Sequence, residues 1–292
     1  MRGTLKIEFL FCLIATFVSG FFIFGASEVR AANVSSGADG NWSSPSTWAS
    51  TVRTGTITYV IDSPEIVGTG TAFLTELAVG SIITSASGRG NISVVVASIT
   101  DDTHLTVTTN AGLTSSGAKS FSSRNVPTAS DDVTIANGDA VVVDTDVSCA
   151  SLKFPTGNSA SSSLDINAGT LTVSGTVTIP RAASPAFNIM SVNGGSLMTS
   201  GLAFTNAGTP SAKRHQLIIA NGVVAVSGDV THSGSTGSAT IAFVGNGRLK
   251  VGGEFLTSAT ATLTPGEGTI EYDGSRVQTV GSFNYNNLVL SG

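Results

Sequence analysis

The sequence is poor in charge, in aromatic rings and in cysteine. Charged residues make up 11% of the 292 residues, aromatic residues make up 7%, and the formal net charge is -5. Because phosphate binding requires a basic face, this balance argues against a nucleic-acid partner. Disorder is disfavoured as well, since hydrophobic residues reach 41% and the net charge is small. The composition favours a secreted, all-β protein.

Cysteine is nearly absent, because the chain contains only Cys12 and Cys149. Cys12 lies in an apolar run near the N-terminus, so the rest of the chain cannot form an internal disulfide. Residues 147–154 resemble a strand, which predicts Cys149 to be a small buried hydrophobe. An intermolecular disulfide is the alternative. Without disulfides, the fold must be stabilised by its core and its strand ladders.

Motifs of catalysis and metal binding are also missing. The sequence has no P-loop, G-x-S-x-G, H-E-x-x-H or C-x-x-C motif. His104 follows Asp101 and Asp102, but three ligands from one short turn rarely converge on a metal without a fourth, so we expect a turn and a strand start. We therefore predict that the protein is not an enzyme and has no cofactor or metal.

Residues 1–31 are predicted to be a secretory signal peptide. A basic start precedes the mainly apolar run 9–24, and the small residues Val29 and Ala31 occupy positions -3 and -1 of a cleavage site. The run is shorter than the roughly 20 residues of a membrane span. An uncleaved membrane anchor is the alternative. Cleavage predicts a secreted protein, extracellular or on the outer cell surface, with no membrane contact.

Glycine is abundant, with 34 residues, and its spacing is regular. Four pairs of glycines with identical internal spacing recur in the second half of the chain: Gly169 and Gly175, Gly195 and Gly201, Gly222 and Gly228, Gly247 and Gly253. The first members of these pairs follow one another at a nearly constant interval, and one more interval reaches Gly274. A fixed period of this length is typical of repeat architectures.

Apolar residues alternate around each glycine pair, and the position two after the first glycine is apolar, so we expect it to point inward. The pattern predicts an all-β fold, a right-handed parallel β-helix with about five coils of roughly 25–27 residues. The β-helix is expected over residues 125–292 and is expected to continue beyond Gly292. Residues 32–53 are predicted to be its N-terminal cap.

Residues 54–124 lack this glycine spacing and have their own strand and turn signals, so we predict a small inserted β-barrel or β-sandwich module. The stretches VGTGTAFLTELAVGSII and VASITDDTHLTV within it resemble a small β module of phage tail and bacterial surface proteins. The resemblance implies a binding or spacer module with no known chemistry.

Two further sites are candidates for ligand binding. Trp42 and Trp48 are expected to cover the open end of the first coil, with a carbohydrate-stacking platform as the alternative. The loop 205–215 contains the basic cluster Lys213, Arg214 and His215. We expect an exposed loop there, with a polysaccharide-lyase site as the alternative.

Outside the insert, the N-terminal region resembles a G8-like domain or a β-helical adhesin-like protein of bacterial surfaces. The matching positions are Trp42, Trp48, Pro127, Asp132, Gly138 and Asp144. Near the C-terminus, Gln278-Thr-Val followed by Tyr285-Asn-Asn-Leu288 resembles a recurring element of long bacterial surface β-helix proteins. These resemblances imply an extracellular β-helix with an adhesive or glycan-contacting role.

We therefore predict a secreted or cell-surface structural and adhesive protein, in which the β-helix is a stalk that presents a binding module. A β-helix carbohydrate-active enzyme (lyase or hydrolase) and a glycan-binding protein are the alternatives. Expected partners are glycans or other cell-surface components, and an oligomer could form through the open β-helix end.

Overall fold

The computed structural model describes residues 32–88, 90–205, 214–233, 239–256 and 261–292. The predicted signal peptide, residues 1–31, and Lys213 lie outside these ranges. Within the ranges, no helix is both long and apolar enough to cross a lipid bilayer.

The N-terminal part contains two short strands and a 3₁₀ turn, followed by seven strands and one short helix. In chain order these are β1 (Asn33–Ser35), β2 (Gly40–Asn41), the 3₁₀ turn (Pro45–Thr47), β3 (Thr51–Val52), β4 (Thr56–Tyr59), β5 (Glu65–Thr69), α1 (Phe73–Glu76), β6 (Ile82–Ala86), β7 (Asn91–Ile99), β8 (His104–Val107) and β9 (Phe121–Arg124).

The remaining described elements are all strands. They are β10 (Asp132–Thr134), β11 (Ala140–Val143), β12 (Val147–Cys149), β13 (Ser151–Lys153), β14 (Ser162–Ile166), β15 (Thr170–Pro180), β16 (Asn188–Val192), β17 (Ser196–Thr205), β18 (His215–Ile219), β19 (Val223–Val226), β20 (Val230–Ser233), β21 (Thr240–Phe243), β22 (Arg248–Val251), β23 (Thr262–Thr264), β24 (Thr269–Tyr272) and β25 (Asn287–Leu290).

Two parallel sheets form the main body. The first has the order β1-β10-β13-β15-β17-β19-β22-β24-β25, with β12 added to β15 and β20 added to β17. The second has the order β2-β11-β14-β16-β18-β21-β23. The chain passes back and forth between the two sheets, so each pair of passes makes one coil. The predicted parallel β-helix of about five coils is confirmed.

The register places the predicted inward residues in continuous columns. In the first sheet, Leu171 pairs with Leu197, Leu197 with Val224, and Val224 with Leu249. All four side chains are fully buried. The second sheet contributes the parallel column Leu164, Met190, Leu217 and Ile241. These columns belong to one apolar core, so the interior of the β-helix is packed with side chains.

Glycine is required where successive coils approach most closely. A Cβ atom on Gly195 would lie 2.6 Å from the carbonyl oxygen of Gly169, and one on Gly222 would lie 2.4 Å from that of Gly195. Both distances are shorter than any ordinary contact of a Cβ atom. The regular glycine spacing is therefore the sequence signature of stacked turns whose backbones touch.

The last coils are shorter than the predicted period. Leu249 pairs with Ile270, and Ile270 pairs with Leu288, so the partners are closer in sequence than Val224 and Leu249 one coil earlier. The predicted step from Gly247 to Gly274 is therefore wrong. Instead, Thr269 donates its N–H to the Gly247 carbonyl, so Gly268 is the glycine that begins this coil. The Gly268 N–H donates to the Pro265 carbonyl and closes a tight turn, which shortens the connection that leads into β24.

The third sheet is antiparallel and forms the inserted module. Its strand order is β3-β9-β6-β7-β8-β5-β4, and it begins at Thr51, slightly before the predicted boundary at residue 54. The module has its own apolar core, which includes Ile57, Phe73 and Phe121 and shares no residue with the core of the β-helix. The structure therefore consists of a β-helix and a module with separate cores.

Substitution of Gly222 by Ala should destabilise the β-helix by about 1–3 kcal/mol, because its Cβ atom must push apart two stacked turns. Both tryptophans of the chain lie in the β-helix core, so urea unfolding followed by tryptophan fluorescence measures this loss. Gly112→Ala in the module is the matched control, since no atom lies within 4 Å of the position that its methyl group would occupy. Equal midpoints for Gly222→Ala and the wild type would contradict the close-contact explanation.

Candidate functional site

The two tryptophans are part of the core at the N-terminal end of the β-helix. Trp42 and Trp48 are 0% and 1% exposed, and their rings meet edge to face with centroids 4.9 Å apart. The indole N–H of Trp48 donates to the Trp42 carbonyl at 2.9 Å. Neither ring presents a face to solvent. The alternative of a carbohydrate-stacking platform at these residues is therefore wrong, because both rings are buried.

Asp144 fixes the turn that contains Trp42 to the next coil. Its carboxylate accepts hydrogen bonds from the backbone N–H of Ser43 at 3.2 Å and from the Ser43 hydroxyl at 2.5 Å. Partial burial is the largest single effect and raises the pKa of the Asp144 carboxyl, but its hydrogen bonds, led by those from Ser43, together outweigh burial, so the pKa is lowered. The Asp144 carboxylate therefore holds the turn that contains Trp42 and Ser43 in place on the next coil.

The structure places Arg214 and His215 of the predicted basic cluster in different environments. Arg214 packs at the surface, where Nη2 donates to the Ser184 hydroxyl at 2.9 Å and the guanidinium lies 5.7 Å from the centroid of the Phe187 ring. These contacts tie the residue before β18 to the segment before β16. Lys213 lies outside the described residues.

His215 is not a loop residue, because it is the first residue of β18 and is fully buried. Its ring meets the rings of Phe204 and His232 edge to face, with centroids 5.6 Å away in both cases. Its Nδ1 lies 3.1 Å from the Ile179 carbonyl oxygen. The prediction of an exposed ligand-binding histidine is therefore corrected: the side chain faces the core.

The reason for this burial is a column of polar residues that runs through the second sheet. Ser162, Asn188 and His215 are in register on successive coils, and all three are fully buried. Asn188 Nδ2 donates to the carbonyl oxygens of Pro155 and Pro180, both at 2.8 Å. These side chains satisfy backbone carbonyls at the corner where the chain leaves the first sheet.

Burial controls the ionisation of two groups in this core. It lowers the pKa of His215 from 6.5 to about 4, against a smaller opposing effect of the Ile179 carbonyl. It also raises the pKa of Cys149 to about 12, and Cys149 is a buried free thiol, so it is not a reactive thiolate. Both groups are neutral at physiological pH.

In the module, the turn before β8 brings Asp101 and His104 together at the surface. His104 Nδ1 lies 3.0 Å from Asp101 Oδ1, and the Thr103 hydroxyl donates to the same oxygen. Hydrogen bonds from Thr103, then from His104, lower the pKa of Asp101 to about 2. Across the ranges that the structure describes, no three His, Cys, Asp or Glu side chains are placed to hold a metal ion.

A groove lies on the outer face of the first sheet. It has a volume of about 310 Å³ and is lined by residues of five successive coils. Thr172, Met198, Ala225 and Lys250 are in register along it. A second row of small hydroxyl residues, Ser174, Ser200 and Ser227, flanks this row. Met198 is 51% exposed, so the groove combines an apolar patch with rows of hydroxyl groups.

A cluster of four charged side chains closes one end of this groove. Lys250 Nζ lies 3.1 Å from Asp273 Oδ2 and 3.8 Å from Glu271 Oε1, and Arg248 lies 3.1 Å from Glu271 Oε2. The Ser291 hydroxyl donates to Glu271 at 2.6 Å. This hydrogen bond, followed by Lys250 and Arg248, lowers the pKa of Glu271 against the effect of burial. The cluster therefore pairs two basic with two acidic side chains.

Sequence reasoning missed this site, although a signal for it was present. Lys250 and Glu271 occupy the same outward position on β22 and β24, so a correct alignment of these coils places opposite charges next to each other. Alignment on Gly274 instead of Gly268 shifts the last coil and separates the two side chains.

Comparison of the chain with protein-family models, with curated proteins and with solved structures finds no match. The resemblances of the N-terminal region outside the insert to G8-like domains and of the insert to phage-tail modules therefore stay predictions.

The stability of the protein should fall as the pH decreases from 6.5 towards 4. The unfolded chain, in which His215 has its ordinary pKa, binds a proton more readily than the folded chain, whose His215 pKa is about 4. The contribution of neutral His215 to the free energy of unfolding is fully present above pH 6.5. It is lost progressively below that pH, by up to about 3 kcal/mol. Urea unfolding at several pH values measures the slope.

His215→Asn should reduce this slope, because it places in the column the residue that Asn188 supplies one coil earlier. The nearby charged or titratable groups, His232 and Arg181, are unchanged in the variant. His104→Asn, at an exposed position in the module, is the control and should keep the wild-type slope. A slope that is the same in His215→Asn and in the wild type would assign the acid sensitivity to other groups.

Proposed function

We propose that the protein is a secreted or cell-surface structural and adhesive protein. In this proposal the β-helix is a rigid stalk, and the antiparallel module is a binding unit carried near one end. The observation that supports it best is the pair of separate apolar cores. Because the described part of the β-helix is filled with apolar side chains, contacts with partners are expected on its outer faces and on the module.

The groove on the first sheet supports glycans as the partner. Its serine and threonine hydroxyls both donate and accept hydrogen bonds, as sugar hydroxyls do, and Met198 provides apolar area for the carbon–hydrogen faces of sugar rings. Successive coils are about 4.8 Å apart, so a groove over four coil steps is roughly 19 Å long. This length fits an extended polymer better than a single sugar.

The charged cluster at the end of the groove favours binding over cleavage. The Lys250 ammonium is paired with Asp273 and Glu271, and a paired ammonium is a poor general base. Glu271 has a lowered pKa, so it stays ionised and does not serve as a general acid at neutral pH. Ionised carboxylates do accept hydrogen bonds from sugar hydroxyls. The enzyme alternative is therefore less well supported than adhesion.

Met198→Asp should weaken glycan binding at least tenfold, because it places an unpaired charge in the groove and removes apolar contact area. The measurement is binding of the exported chain to an array of neutral and acidic polysaccharides. Val244→Asp is the matched control: Val244 is also an exposed apolar residue of the β-helix, 69% exposed, but lies outside the groove.

Three results would contradict the proposal. If the wild type binds no polysaccharide on the array, the glycan assignment fails. Equal loss of binding in Met198→Asp and Val244→Asp would show that the groove is not the binding surface. Depolymerisation of a polysaccharide by the wild type but not by Lys250→Ala would make the protein an enzyme.

The polysaccharide-binding assay applied to Ile61→Asp, at an exposed site of the module, tests whether the module contributes to binding.

A further inference from the structure

The first described residue, Ala32, lies against a buried carboxylate. The backbone nitrogen of Ala32 donates to Asp131 Oδ1 at 2.9 Å, and the Ala32 carbonyl accepts from the N–H of Asp132 at 2.9 Å. Asp131 is only 5% exposed. These two bonds fix the beginning of β1 on β10, so the position of the Ala32 nitrogen is determined by the sheet register.

Asp131 lacks a cation within ion-pair distance among the described residues. Its second oxygen accepts from the Thr128 N–H at 2.7 Å and from the Thr128 hydroxyl at 2.9 Å, while its first oxygen accepts from Ala32. All of these donors are neutral in the uncut chain. A buried carboxylate is substantially more stable next to a positive charge than among neutral donors alone.

The surrounding cleft has an unbalanced charge. Ala32, Arg53, Glu76 and Asp131 line a cavity of about 260 Å³ where the β-helix meets the module. Arg53 is partly buried, which lowers its pKa, and the charges of Glu76 and Asp131 oppose that shift. One guanidinium therefore faces two carboxylates, and one further positive charge would neutralise the cleft.

Cleavage at the predicted site would place a new positive charge at this point. Ala32 directly follows the predicted cleavage site after Ala31. Hydrolysis of the Ala31–Ala32 peptide bond adds the hydroxyl of water to the Ala31 carbonyl carbon and a proton to the Ala32 nitrogen. The resulting α-amine has an ordinary pKa of about 7.7–8.0, so it takes up a second proton near neutral pH.

We propose that removal of the leader between Ala31 and Ala32 creates an α-ammonium that pairs with Asp131 and thereby stabilises the joint between the β-helix and the module. Asp131 is then the docking site for the mature N-terminus. Maturation converts a neutral N–H donor at 2.9 Å into a charged one. The adjoining cavity of about 260 Å³ leaves room for the additional protons.

The first test is the mass of the exported chain, which should correspond to a chain that begins at Ala32. Insertion of one Gly between Ala31 and Ala32 keeps the cleavage signal but moves the ammonium one residue away from Asp131. In the wild-type background, this insertion should lower the equilibrium constant for folding about tenfold, the effect of one lost charge-assisted contact. In the Asp131→Asn background, it should lower it less than twofold.

Asp132→Asn is the matched control, because Asp132 is an exposed carboxylate next in sequence that pairs with Ser151. The Gly insertion should have its full effect in that background. Equal effects of the insertion in the Asp131→Asn and Asp132→Asn chains would overturn the proposal. A mature chain that begins at another residue would also overturn it.

A second measurement does not depend on the stability of Asp131→Asn. Acetylation of the α-amine at neutral pH, followed by mass spectrometry, should be about tenfold slower in the exported wild type than in the chain with the inserted Gly. Equal rates would show that the amine is free. The inference depends on the proposed function only through export of the chain. Absence of glycan binding would therefore not contradict the inference. An undocked amine would contradict the inference and leave the proposed function unaffected.

Discussion

The whole architecture depends on the close backbone contact of successive coils at the glycine column. Gly169, Gly195 and Gly222 lack the Cβ atoms that would keep neighbouring turns apart. With the corners in contact, the strands of both sheets meet at ladder distance, and inward side chains such as Leu197 and Val224 lie above their equivalents on the previous coil. The apolar columns, the polar column through His215 and the outer groove all follow from this single register. Each coil therefore supports its neighbours, and the fold needs no disulfide.

The β-helix could be predicted from the sequence because one local rule repeats in several successive coils. This rule states that the apolar residue two positions after a glycine points inward. It correctly identified Leu171, Leu197, Val224 and Leu249 as core residues. The constant interval between glycines, and not this rule, failed at the next coil: Gly268 is followed by the buried Ile270, but the tight turn at Pro265 shortens the repeat. Strand patterns show which face of a strand is buried, but the length of the connection determines which strands are neighbours. A loop can lose residues without any change in the strand pattern.

The surface sites were less predictable, because they depend on the register between residues far apart in sequence. Three consecutive residues that include Arg214 and His215 have the composition of an exposed basic loop. In the fold, His215 continues a column that begins with Ser162 and Asn188, and alignment with these residues decides its burial. Lys250 and Glu271 form a pair for the same reason. A single-sequence pattern contains the identities of such residues but not their neighbours on the adjacent coil.

The shortening of the coils gives the molecule a gradient of local stability along its axis. The coils that end at Ile270 and at Leu288 contain progressively fewer residues than the coil that ends at Leu249. Local unfolding of the described β-helix should accordingly occur more readily in these shorter coils than in the coils that contain Leu171, Leu197 and Val224.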